Sequence, residues 1–251
     1  MQLKVFPTRA AMSAAAAAHV ADRLRYMIRS RRRARIVPAT AASQIEFQAA
    51  LADQRDVDWN QVDVYQLDEY IGLPADHPAR FEHLLRNNLL APAGIRHAHL
   101  LSGHDADDVL RRASRAVTVG EIDLAILGIG ENAHIAFNDP PADFTSEDPY
   151  LVVSLDAACR QQQVSEGWFK SIREVPRTAI TMSIQQILRA REIVVIVPDA
   201  RKAAAVAATL TEPVSPLVPA TILRTHHDVL LFADEAAMSK TSEEIRRSFD
   251  T

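Results

Sequence analysis

Residues 122–141 read Ile122-Asp123-Leu124-Ala125-Ile126-Leu127-Gly128-Ile129-Gly130-Glu131-Asn132-Ala133-His134-Ile135-Ala136-Phe137-Asn138-Asp139-Pro140-Pro141. The stretch opens as a short, almost wholly apolar run, the signature of a strand buried on both faces. It then breaks at Gly128 and Gly130, and polar side chains gather around one histidine. A buried strand that ends in a glycine turn belongs to an α/β sheet, where ligands sit beyond the carboxyl ends of the strands at a switch in strand order.

Working outward, four further runs have the same character: Arg35-Ile36-Val37, Val62-Asp63-Val64-Tyr65-Gln66-Leu67, Ile193-Val194-Val195-Ile196-Val197 and Val229-Leu230-Leu231-Phe232. Helical patterns separate them near residues 11–32, 43–53, 78–90, 105–118, 158–170, 183–190, 200–210 and 235–248. This alternation predicts an α/β, Rossmann-like fold, a mainly parallel sheet with helices on both faces. Pro140-Pro141 and Pro213, Pro216 and Pro219 read as loops rather than linkers, so one domain is expected over residues 1–251.

Composition narrows the function. A chain of 251 residues with 48% hydrophobic side chains can bury a full core. Its formal charge of -4 offers no general attraction to nucleic acid or to acidic membranes, and neither is expected as a partner. The alanine-rich segment Ala10–Ala21 is bracketed by Lys4, Arg9, Asp22 and Arg23 and reads as an amphipathic helix, not a secretory signal. No stretch offers the roughly 18 consecutive apolar residues of a membrane-spanning helix. Cys159 is the single cysteine, which excludes an internal disulfide and a Cys-rich metal site and fits a reducing, cytoplasmic setting.

The chemistry is expected after the strands. His134 is the side chain best suited to proton transfer near neutral pH, Asn132 and Asp139 lie close enough in sequence to hold its ring, and Gly130 lets backbone approach a ligand. Gly128-Ile129-Gly130-Glu131-Asn132-Ala133 also satisfies a loose dinucleotide-binding pattern, but Asp139-Pro140-Pro141 would interrupt the helix that pattern requires, so no cofactor is expected. Leu67-Asp68-Glu69-Tyr70-Ile71-Gly72-Leu73-Pro74 places two acids and a tyrosine at another strand's end.

These stretches resemble one family. Leu67–Pro74 is similar to the Met-Asp-Glu-Tyr-Val-Gly-Leu-Pro segment of glucosamine-6-phosphate deaminases, and Gly128–Pro140 to their Gly-x-Gly-x-Asp-Gly-His-Ile-Ala-Phe-Asn-Glu-Pro segment. The likeness continues through Val175-Pro176-Arg177-Thr178-Ala179-Ile180-Thr181 and Arg201-Lys202-Ala203 to Asp234-Glu235. The related 6-phosphogluconolactonases share the fold but typically carry Asp-Glu-Arg at the first motif, so Tyr70 and the run from His134 to Asn138 favour the deaminase branch.

The resemblance implies conversion of glucosamine 6-phosphate, or a close hexosamine phosphate, to fructose 6-phosphate and ammonia by proton abstraction at C2. Asp68 would be the base, His134 the acid/base that opens the sugar ring, and Asp139 the group that orients His134. Lys202 matches the phosphate-binding lysine, and Thr40 and Ser43 stand in the corresponding phosphate loop. That loop departs from the family, since Thr-Gly-Gly-Thr-Pro is replaced by Thr40-Ala41-Ala42-Ser43-Gln44, whose Cβ atoms disfavour positive φ. Asn132 and Ala133 stand where the family has Asp and Gly, and Asp139 where it has Glu. The family's phosphate-binding arginine falls near Glu166 or Gly167, which leaves Arg160 as its candidate replacement.

Other features read as structural. Arg29, Arg31, Arg32, Arg33 and Arg35 suit a solvated helix end, Trp168 and Phe169 a core, and neither His97 and His99 nor His226-His227 makes a metal site. No catalytic metal is expected. A small-molecule sugar phosphate is the expected partner, and a homo-oligomer is left open. Two alternatives remain on sequence grounds: a 6-phosphogluconolactonase-like hydrolase or non-deaminating isomerase, and a non-catalytic sugar-phosphate sensor.

Overall fold

The computed structural model describes residues 1–103 and 105–249. Its strands are β1 (Gln2–Phe6), β2 (Ala34–Pro38), β3 (Val62–Tyr65), β4 (Asp68–Tyr70), β5 (His97–His99), β6 (Leu124–Leu127), β7 (Tyr150–Ser154), β8 (Thr178–Met182), β9 (Glu192–Val197) and β10 (Val229–Asp234). The helices are α1 (Arg9–Arg31), α2 (Ile45–Ala52), α3 (Phe81–Leu85), α4 (Ala91–Ala93), α5 (Ala106–Thr118), α6 (Ala157–Ser165), α7 (Ile184–Leu188), α8 (Ala203–Thr211) and α9 (Glu243–Phe249), with a π-helical stretch over Arg86–Leu90 between α3 and α4.

Seven strands form one parallel sheet in the order β1-β10-β9-β6-β2-β3-β5. Period-two alternation splits its side chains between two cores. Ile36, Leu124, Ile126, Val194, Ile196, Leu230 and Phe232 face α1 and α2, where Met12, Ala16, Val20, Leu24, Phe47 and Leu51 meet them. Val37, Ala125, Leu127, Val195, Val197, Leu231 and Ala233 face the opposite way, onto Val109 and Val117 of α5, Ile184 and Ile187 of α7, and Val206 and Leu210 of α8. The small residues of α1 let that helix lie close against the sheet. Thr8 caps its start, the hydroxyl accepting from Ala11 N, and Arg32 ends it in the left-handed region at φ 68°.

From β2 the chain builds outward through β3 to β5, returns to the other side of β2 as β6, and continues through β9 to β10, which lies beside β1, the first strand of the chain, at the sheet's edge. The switch point therefore lies between β2 and β6, and the loops that leave their carboxyl ends, 39–44 and 128–139, share one crevice.

Several expectations need correction. The run 62–67 is not one strand: the parallel strand stops at Tyr65, and residues 68–70 pair antiparallel with β8, which also pairs with β7, to give a second sheet of order β4-β8-β7. The predicted helix over 158–170 stops at Ser165, with Gly167 at φ 84° just beyond it, so Trp168 and Phe169 lie outside it. Phe169 joins Tyr70, Phe81, Phe137 and Cys159 in a third core beneath the small sheet, and Trp168 packs against that core. The predicted helix over 235–248 is confined to Glu243–Phe249, after a series of turns. The basic cluster is a helix end with local partners, Arg31 to Asp123 and Arg33 to Asp63.

Candidate active site

A cleft of about 470 Å³, the open space at its mouth included, lies at the switch point. Its walls come from four chain segments that follow strands: Thr40, Ser43 and Gln44 after β2, Asp68 after β3, Gly128, Gly130 and His134 after β6, and Lys202 after β9. Gln162 and Gln163 of α6 close one side.

Asp68 is 4% exposed, and its Oδ1 has no hydrogen-bond partner. Burial, with Glu69 adding to it, pushes the Asp68 carboxyl well above the usual carboxylate range. The backbone around it is tightly held. Gln66 Nε2 donates to Asp68 O at 2.9 Å and to Glu69 Oε2 at 3.2 Å. The Glu69 carboxylate also accepts from the backbone N–H of Tyr70, Phe81 and Glu82 at 2.9, 3.2 and 2.8 Å. Of the two adjacent acids, one is the brace of the strand crossing and the other faces the cleft.

The loop after β6 makes turns where a dinucleotide site would start a helix. Gly130 N donates to His134 O at 3.0 Å, which folds the imidazole back over Gly130. A Cβ on Gly130 would lie 2.3 Å from the ring, so only glycine fits there. Ala133 and Ala136 hold left-handed backbone at φ 63° and 52°, so the alanine that replaces the family's glycine at 133 is strained.

His134 Nδ1 lies 3.1 Å from Asp139 Oδ1, although the angle falls short of a hydrogen bond. Burial alone would raise the Asp139 carboxyl, but nearby His134, the Asp156 N–H and Asn132 outweigh it and hold it below the usual carboxylate range. Asn132 acts through this group rather than on the ring. Its Nδ2 donates to Asp139 Oδ1 at 3.2 Å and to Asp156 Oδ2 at 3.0 Å, while its Oδ1 accepts from His134 N at 3.2 Å. Between two carboxylates an amide can donate where an ionised aspartate would only repel.

Lys202, also on the cleft wall, is 3% exposed and burial lowers its pKa. The ion pairs are made by its neighbour Arg201, with Asp199 and Glu131, and Lys202 makes none among the described residues. Thr40 Oγ1 and Gln44 Oε1 are buried without partners, and Gln44 Nε2 is tied to Ile196 O at 3.0 Å. Ala41 is extended at φ -168°, so the altered loop follows a path that needs no positive φ. Arg160 needs correction as a phosphate ligand. It does not line the cleft, because its guanidinium is engaged by the carbonyls of Ile172 and, at 3.1 Å, Val175.

Sequence reading missed Gln44, Gln162 and Gln163 as wall residues, because a glutamine in a helix carries no signal of its own. It also missed that Cys159 lies beside His134 and Asp139, with one ligand atom of each within 4.8 Å of the others. In sequence the absence of other thiols hides the site, whose partners are a histidine and an acid.

A family model described as glucosamine-6-phosphate isomerases/6-phosphogluconolactonase matches residues 7–232. The chain belongs to this family. It is 36% identical over 194 residues to a glucosamine-6-phosphate deaminase of Thermoanaerobacter sp. (strain X514), covering 75% of each chain. It is 34% identical over 203 residues to one of Streptococcus gordonii, covering 80% of this chain and 84% of the relative. Among solved structures, a monomeric glucosamine-6-phosphate deaminase superposes with a TM-score of 0.86 at 28% identity, over 96% of this chain and 100% of the other. A 6-phosphogluconolactonase from Shewanella baltica superposes with a TM-score of 0.79 at 20% identity, over 93% and 97%, and shows the common fold alone. In this chain the second, antiparallel sheet carries Asp68 to the cleft.

Proposed function

We propose that the chain isomerises and deaminates a hexosamine 6-phosphate, glucosamine 6-phosphate first among them, to fructose 6-phosphate and ammonia, with water consumed. One observation carries this reading: partnerless buried polar atoms on Thr40, Gln44 and Asp68 line the same cleft as Lys202 and the His134–Asp139 pair. Buried polar atoms cost stability unless a ligand completes them, so this lining is suited to a polar, anionic substrate.

The roles follow from the chemistry each group can do. Lys202, Thr40 and Ser43 anchor the phosphate, and that binding energy positions the reacting carbons. His134, steadied by Asp139, moves the proton between the ring oxygen and the anomeric hydroxyl that opens the pyranose. Asp68, ionised, takes the proton from C2, the electron pair forms the C1–C2 double bond, and the C1 carbonyl oxygen takes a proton to give the enolamine. Returning a proton to C1 gives the ketose iminium at C2, and water adds there to release ammonia. Raising the carboxyl of Asp68 strengthens it as a base once it has ionised. Dry walls sharpen each charge interaction.

A cytoplasmic setting fits a chain whose one cysteine is buried, and a formal charge of -4 fits a small-molecule partner rather than nucleic acid. Among the described residues no helix is long and apolar enough to cross a membrane. The reading is tested by assaying ammonia from glucosamine 6-phosphate and galactosamine 6-phosphate, with 6-phosphogluconolactone hydrolysis in parallel. Ammonia from either sugar is expected. Lactone hydrolysis without ammonia would replace the proposal with the lactonase reading, and tight sugar-phosphate binding without turnover would replace it with the sensor reading.

A further inference from the structure

We propose that His134, Asp139 and Cys159 form a binding site for a thiophilic divalent cation, Zn2+ or one of similar softness, whose occupancy disables the catalytic histidine. The three residues come from different places, two in the loop after β6 and one in the first turn of α6, and the fold brings an imidazole, a carboxylate and a thiol together. Their ligand atoms lie within 4.8 Å of one another, and His134 Nδ1 is 3.1 Å from Asp139 Oδ1.

A tetrahedral ion with bonds of about 2.0–2.3 Å holds its ligands roughly 3.3–3.8 Å apart, so a contraction of about 1 Å completes the set. A second observation points the same way. His134 Nδ1 is buried without a hydrogen-bond partner, and the side chains of His134 and Asp139 are 12% and 5% exposed. The site also has an outer layer: Asn132 Nδ2 and Asp156 N donate to Asp139 at 3.2 and 2.9 Å, and Asp156 Oδ1 accepts from Cys159 N at 2.5 Å. Such partners fix the direction of a metal's ligands. Three protein ligands with a fourth position left to water is the pattern of an open zinc site, and imidazole with thiolate selects Zn2+ and Co2+ over Mg2+ and Ca2+.

The binding step exchanges a proton for the ion. The Cys159 S–H bond breaks, the Sγ–metal bond forms from the sulfur electron pair, and the proton leaves to solvent. Because the thiol must lose its proton to bind, this exchange strengthens as pH rises. Once Nδ1 is bound to the ion, Asp139 no longer orients the ring. Proton transfer at His134 stops while the Lys202 end of the cleft is untouched, so kcat falls and sugar-phosphate affinity holds.

The test uses Co2+ and Zn2+ on the full chain. Cys159 is the only cysteine, so an ultraviolet thiolate-to-cobalt charge-transfer band has one possible origin. Titration with Co2+ is expected to produce that band together with a tetrahedral visible spectrum, and Zn2+ to abolish both. In Cys159→Ala the band is expected to vanish. Losing even an outer partner weakens metal binding by about 10–100-fold, so Zn2+ inhibition of this variant should weaken by at least that factor. No thiolate–cobalt band in the unaltered protein would overturn the proposal, as would undiminished Zn2+ inhibition of Cys159→Ala. Should that variant fail to fold, cobalt X-ray absorption on the unaltered protein decides: one sulfur neighbour supports the site and none overturns it. The inhibition rests on the deaminase reading, whereas the cobalt spectra do not, so the two fail separately.

Discussion

At the residue scale the site is a set of small compromises between folding and chemistry. Asp68 is the clearest. A carboxyl whose folded pKa lies above its unfolded value of about 4 holds its proton more tightly when folded, so ionisation opposes folding as pH rises between those two values. Asp68→Asn should therefore be more stable than the native chain at neutral pH by about 1–3 kcal/mol, by thermal melting, with the difference gone below about pH 4. The same change should cost about 10²–10⁴-fold in kcat through loss of the base. Equal stability across that pH range would mean the carboxylate is not buried unpaired. Gly130→Ala should drive the imidazole off its seat, since the new Cβ would meet the ring at 2.3 Å, and should lose about 10²-fold in kcat with KM little changed. Lys202→Ala should instead act on substrate capture, lowering kcat/KM by about 10–100-fold for a phosphorylated sugar through the lost charge-assisted bond.

At the scale of elements, the deciding feature is the break at Gln66. After Tyr65 the chain leaves the large sheet, and β4 starts the small one three residues later. Glu69 locks that crossing by accepting three backbone N–H groups from two elements. Glu69→Ala would leave those donors unpaired, two of them buried, and a loss of roughly 3 kcal/mol or more is expected in denaturant titrations, with kcat falling because Asp68 rides on the same strand. Unchanged stability would show that water satisfies the donors. The large sheet was legible because its central strands are continuous apolar runs. The small sheet was not, because β4 is three residues long and β7 and β8 mix polar with apolar side chains in separate loops of the sequence. Pairing across more than 100 residues, as between Asp68 and Thr181, leaves no local trace.

At the scale of the whole molecule, function follows from topology. A chain that builds one way from β2 and then the other leaves a crevice between β2 and β6, and loops distant in sequence bring Lys202, Asp68 and His134 to it. The motifs at 67–74, 128–140 and 201–203 pointed to these residues from sequence because ligands bind beyond the strand ends of a parallel sheet. What sequence did not disclose was side-chain destination: the guanidinium of Arg160 serves two carbonyls, and the thiol of Cys159 lies beside His134 and Asp139. The central claim is that Asp68 removes the C2 proton of a hexosamine phosphate, and it is tested most directly by turnover of glucosamine 6-phosphate carrying deuterium at C2. Ammonia and fructose 6-phosphate should form together, more slowly than from the protiated sugar, and both should be lost in Asp68→Asn. Turnover that persists undiminished in Asp68→Asn would contradict the account.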